Sequence, residues 1–168
     1  MPEAGTRLAF DSFDLSGHPV GADFDLNEAL RSLAHSLQHE HRHPNIAVVL
    51  DLAADLPKTT ANGRQIENVL FGLFVRSRRA IVEARKPWGT ITIRTGLKAG
   101  KIQFSITDDG IADPVRHAFD ATFPGTAENS VDLTMCAEIV QDQSGELYAW
   151  QPRHSALTTI IMDLPVDN

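Results

Sequence analysis

Cysteine is almost missing from this sequence: Cys136 is the single one in 168 residues. One thiol cannot close an internal disulfide, which fits a reducing compartment such as the cytoplasm. Long apolar runs are also missing. No stretch approaches the roughly 18 to 20 apolar residues that a membrane-spanning helix needs. The first residues, MPEAGTR, lack the apolar core of a secretory signal. Basic excess is missing too. Fifteen Lys and Arg face 22 Asp and Glu, for a formal net charge of −7. Nonspecific nucleic-acid binding needs a basic field, so that class is excluded. What remains is 42% hydrophobic, enough to build the core of one ordinary domain.

The apolar pattern sets out the elements. Residues 1–23 read as an N-terminal arm, partly disordered, ahead of a single domain over 24–168. Asp25 and Glu28 have capping-box spacing, and Leu26, Ala29, Leu30, Leu33, Ala34 and Leu37 then follow a helical stripe. Pro44 limits that helix. Ile46 to Leu52 is rich in β-branched residues and reads as a strand. A second helix is expected over about 63–84, with Ile66, Val69, Leu70, Leu73, Ser77, Ala80, Ile81 and Ala84 facing the core. Residues 90–97 and 101–107 alternate around Lys98, Ala99 and Gly100, which predicts a hairpin. Pro114 can open a short helix, and residues 122–130 read as irregular. A third long helix is expected over about 131–143, with Val131, Met135, Ile139 and Val140 inward. Residues 145–151 and 157–164 form a closing hairpin. Trp88 and Trp150 are expected to pack near strand ends. The pattern predicts an α/β (α+β) two-layer sandwich, with a mixed, mostly antiparallel sheet and helices on one face.

The order and spacing resemble the ATP-binding domain of sensor histidine kinases and their GHKL (Bergerat-fold) relatives. Five segments carry the resemblance: FDLNEALRSLAHSL for the first helix, QIENVLFGLFVRSRRAI for the N-box helix, GTITIRTGLKAGKIQFSITDDG for the hairpin into the G1 motif, MCAEIVQDQSGELYAW after the G2 motif, and ALTTIIMDLP for the last strand. The resemblance implies a nucleotide pocket, but its key positions are changed. Where the family carries two asparagines and a basic residue, this chain has Gly72, Arg76 and Arg79 on one helical stripe. The second asparagine of the family offers an oxygen to Mg²⁺. Arg76 has donors only and cannot replace it. Arg79 matches the basic position that faces phosphate.

In the G1 motif Asp108 and Gly110 match, and Ala112 stands at the second glycine. By resemblance Asp108 would accept a hydrogen bond from the adenine amino group. The plain alternative is an Asp-Asp-Gly turn. The glycine-rich lid aligns with Glu128 to Leu133, and Asp132 would place negative charge where the family receives phosphate. The resemblance therefore implies a degenerate, noncatalytic domain with a vestigial pocket of Gly72, Arg76, Arg79, Asp108, Gly110, Ala112 and Asp132. No catalytic residue, metal ligand or cofactor is assigned. The implied role is a regulatory interaction module in two-component signalling, with a kinase, response regulator or transcription factor as partner. Homodimerisation stays open. The rival reading is a divergent kinase or ATPase that binds ATP weakly, with Arg76 and Arg79 standing in for the metal. One contact is expected in particular: Arg76 reaching to Asp108 or Asp132 and filling the pocket from within.

Other motifs point elsewhere. His39, Glu40 and His43 spell H-E-x-x-H, a zinc-hydrolase pattern when both histidines share a helix face. Pro44 ends the helix there, so an exposed helix end is the simpler reading. Cys136 reads as a small core residue. No histidine sits in the helical-hairpin context of an autophosphorylation site, and no Ser-His-Asp set is apparent.

Overall fold

A computed structural model describes residues 24–39, 45–110, 133–150, 155 and 157–167. The expectations for residues 1–23, the short helix at Pro114, the irregular 122–130 segment and Val131 lie outside these residues.

Helix α1 covers Leu26–Gln38. Asp25 caps it, accepting a 3.0 Å hydrogen bond from the Glu28 amide, as its capping-box spacing predicts. Strand β1, Ile46–Asp51, follows. Helix α2, Gly63–Glu83, starts at Asn62, whose side chain accepts from the Gln65 amide. All the predicted core positions of α2 are buried except Ala84, which is half-exposed at the C-cap. Strands β2, Gly89–Lys98, and β3, Lys101–Asp108, form the first hairpin. Its two turn residues, Ala99 and Gly100, have φ of 52° and 74°. That is the left-handed geometry a two-residue hairpin requires. Helix α3, Leu133–Asp142, leads into β4, Glu146–Trp150, and β5, Thr158–Leu164.

The five strands form one sheet in the order β1-β2-β3-β5-β4. Only the β1–β2 pairing is parallel. The register places Ile91, Ile93, Phe104, Ile106, Ile160, Met162 and Leu147 on one pleat face, and these bury against the inner stripes of the three helices. Burying each such side chain contributes about 1.5 to 3 kcal/mol. The fold is the expected two-layer α+β sandwich with an open mixed sheet.

Two expectations fail locally. Met135 is not inward: it is 58% exposed, while Leu133, Cys136 and Val140 face the core. The helix phase follows the 133–136–140 row, and Met135 lies about 100° away from Cys136 around the axis. Cys136 is the buried core residue expected of it. Trp88 and Trp150 do not pack inside either, at 71% and 56% exposed. Trp150 pairs with Thr159, which alternates with the core residues Ile160 and Thr158, so its pleat parity points it away from the helices. Trp88 precedes β2 in the turn after α2.

Candidate functional site

Asp108 is the last residue of β3, on the inner face of the sheet, opposite Ile91 of β2 and Thr158 of β5. The inward pleat carries its carboxylate under α2, where it is 1% exposed. A buried carboxylate needs partners. One oxygen accepts from the Gly110 amide at 3.1 Å. The other accepts from Arg76 Nη1 at 3.3 Å. The Arg76 side chain is 10% exposed, so this is a buried ion pair. The contact expected between Arg76 and a carboxylate is present, made to Asp108. Asp132 lies outside the described residues, as does Ala112.

Helix periodicity explains the approach. Gly72 and Arg76 lie one turn apart on α2 with Ser77 next to Arg76, and Gly72 and Ser77 are buried. The loop after β3 is pressed against the same helix. A Cβ on Gly110 would sit 2.4 Å from the Ala80 carbonyl carbon and 2.6 Å from the Ile81 amide nitrogen. Backbone cannot yield by that amount, so this position needs glycine. The neighbouring Asp109 pins the loop from the other side. Its carboxylate accepts from the Thr90 amide at 2.9 Å, and its backbone carbonyl accepts from Lys86 Nζ.

Burial pushes the Asp108 carboxyl above the ordinary aspartate range, against the lowering influence of the Arg76 charge, the Gly110 amide and the nearby Ser77 hydroxyl. Ser77 is close enough to favour the charged form, yet its Oγ completes no hydrogen bond of normal geometry. Two further buried polar atoms have no hydrogen-bond partner among the described residues: Arg76 Nη2 and Thr158 Oγ1. Thr158 stands directly across the ladder from Asp108, and Arg76 and Ser77 approach it from α2. Three groups near one carboxylate thus make no hydrogen bond among the described residues. Chemically the cluster offers donors, hydroxyls and one paired negative charge.

Arg79 does not join it. Its Nε donates to Glu83 at 2.8 Å one turn along α2, with both side chains substantially exposed. Of the seven expected pocket residues, the structure brings Arg76, Asp108 and Gly110 into contact, with Gly72 on the same helix wall. Thr158 was not anticipated, because only the β3–β5 register brings it to Asp108. Asp109 and Lys86 were missed too; the charged pair of positions around the turn was their only sequence signal.

No family model matches the chain, and no curated protein matches it. Solved structures do. The catalytic domain of histidine kinase ThkA superposes with a TM-score of 0.71 at 21% identity, covering 89% of this chain and 97% of that one. The mycobacterial sensor histidine kinase MprB gives 0.70 at 15% identity, over 86% and 98%. Full-length ShkA in complex with AMPPNP gives 0.72 at 15% identity, covering 90% of this chain and 32% of that one. The chain has the fold of these histidine-kinase catalytic domains. Among the described residues no helix is long and apolar enough to cross a membrane.

Proposed function

We propose that this domain is a noncatalytic member of the histidine-kinase ATPase fold, acting as a regulatory protein-interaction module in cytoplasmic two-component signalling. The observation that carries the reading is the buried Arg76–Asp108 pair. Where the resemblance calls for an oxygen that binds Mg²⁺, this chain offers a guanidinium, which only donates. That guanidinium also occupies the carboxylate that would read adenine. Replacing Gly110's partner glycine with Ala112 and placing Asp132 in the lid region act in the same direction. ThkA has been captured with the response regulator TrrA, which supports a response regulator as the class of partner. A kinase or a transcription factor fits the same role, and self-association into a homodimer is compatible with it.

Isothermal titration with ATP and ADP, with and without Mg²⁺, tests the proposal. Silence at millimolar nucleotide is expected. Micromolar binding, or Mg²⁺-dependent hydrolysis abolished by Asp108→Asn, overturns it. The second reading, a weak metal-independent nucleotide binder, draws on the three unsatisfied atoms around Asp108. Native structures leave few such groups, and a bound ligand is one way to satisfy them. That reading expects binding equal with and without Mg²⁺, and lost on Arg76→Met.

A further inference from the structure

The H-E-x-x-H segment starts at the histidine-rich end of α1, and of its three named residues only His39 is among the described residues. Helix α1 is described to Gln38 with His39 as its C-cap, and Glu40 and His43 lie outside the described residues. The helix brings together another pair. His35 and His39 are one turn apart, joined by the hydrogen bond from the His39 amide to the His35 carbonyl at 3.4 Å. The cap keeps right-handed helical dihedrals, φ −86° and ψ −8°, so the i, i+4 geometry survives to the last residue. Their rings meet edge to face, with centroids 4.4 Å apart and planes at 71°. Both side chains are exposed.

We propose that His35 and His39 form a two-imidazole binding site for a late first-row divalent cation, Zn²⁺ or Ni²⁺, completed by water. Metal–nitrogen bonds of about 2.0 to 2.1 Å put two chelating rings roughly 5 Å apart; the two rings stand 4.4 Å apart, and their edge-to-face planes must turn about the side-chain torsions to aim one nitrogen of each at a shared cation. Imidazole is the side-chain ligand these metals favour, whereas Mg²⁺ prefers oxygen. The helix C-terminus turns its negative dipole end toward the cation. Arg31, one turn earlier and exposed, is the like charge on this side of the helix. It sits on a flexible stem that can swing into water. Bound metal would clip the last turn of α1 where the chain leaves toward β1.

Titration of the full chain with ZnCl₂ and NiCl₂ by calorimetry tests the site, with MgCl₂ as control. The expected Kd is about 10 µM for Zn²⁺ or Ni²⁺, with no heat from millimolar Mg²⁺. His35→Ala and His39→Ala should each weaken binding at least about tenfold. Both positions are solvent-facing, and unchanged circular dichroism would confirm that the variants fold. The double variant His41→Ala/His43→Ala should stay within about threefold of the parent. No binding of either metal below about 1 mM overturns the proposal. So does a His35→Ala variant that binds normally, or loss of binding on removing His41 and His43, which would make those residues the ligands.

Discussion

Two polar clusters lie between the helices and the sheet, and they are built to different standards. Near one end of β2, Asn27 Nδ2 donates to the Ala53 carbonyl at 2.7 Å, Thr95 Oγ1 donates to Asn27 Oδ1 at 2.8 Å, and the Ala53 amide donates to Thr95 Oγ1 at 3.1 Å. That ring closes on itself and stitches α1 to β2 and to the segment after β1. At the other end of β2, the Asp108 cluster leaves Arg76 Nη2, Ser77 Oγ and Thr158 Oγ1 unsatisfied. A closed ring is what folding alone requires of buried polar groups. The second cluster does not close among the described residues. The open cluster is also the one where the resemblance to kinase domains places a ligand.

The sharpest way to break this comparison is Arg76→Met. Removing one partner of a buried ion pair costs about 3 to 5 kcal/mol, because the remaining charge is stranded. Urea unfolding at neutral pH should show that loss. The pH dependence follows from the raised carboxyl. Folded Asp108 keeps its proton to higher pH than the unfolded chain, so the group favours folding in acid, and that contribution disappears as pH rises through its folded pKa. Without Arg76 its carboxyl should rise further. The deficit of Arg76→Met should therefore shrink steadily as the pH is lowered toward the carboxylate range. A deficit that is constant with pH would mean that Asp108 is not the group left stranded.

Asn27→Ala probes the closed cluster. It strands the Thr95 hydroxyl and the Ala53 carbonyl, and a loss of about 2 kcal/mol is expected. Its pH profile should match that of the parent, since the ring holds no ionisable group. A loss below about 0.5 kcal/mol would mean that the ring is not the tight stitch its distances describe.

The smallest effects should come from the unsatisfied hydroxyls. Ser77→Ala and Thr158→Val remove groups that make no hydrogen bond among the described residues, so each should lie within about 0.5 kcal/mol of the parent in thermal unfolding. A loss above about 1 kcal/mol in either would show that an internal water or a bound ligand satisfies that hydroxyl, and would bring the two clusters closer in kind.

Much of this molecule was legible in its residues, and the reason differs by element. The Asp25 cap, the 66–69–70–73–77–80–81 stripe and the Lys98–Lys101 turn are local: each depends on residues within one or two helical turns, or on a two-residue loop, so spacing alone reads them. The resemblance likewise reached the Arg76–Asp108 contact, because helix phase and strand parity aim both side chains at one space. Spacing failed where phase was ambiguous. Met135 and Cys136 are adjacent, and only packing against β4 and α2 decided which of them faces inward.

What the sequence determined by itself was the order of the described helices and strands, most of their inner faces and the lack of an acceptor on the side chain at position 76, since these follow from short-range geometry and side-chain chemistry. Only the tertiary structure decided that Thr158 stands across from Asp108, that Gly110 abuts the backbone of α2, that Arg79 turns to Glu83, and that the His35 and His39 rings meet edge to face. The first two depend on strand register and on the docking of a loop, which bring together residues about 50 and 30 positions apart. The last two depend on where a side chain settles and where a helix stops, and single-residue propensities do not specify either.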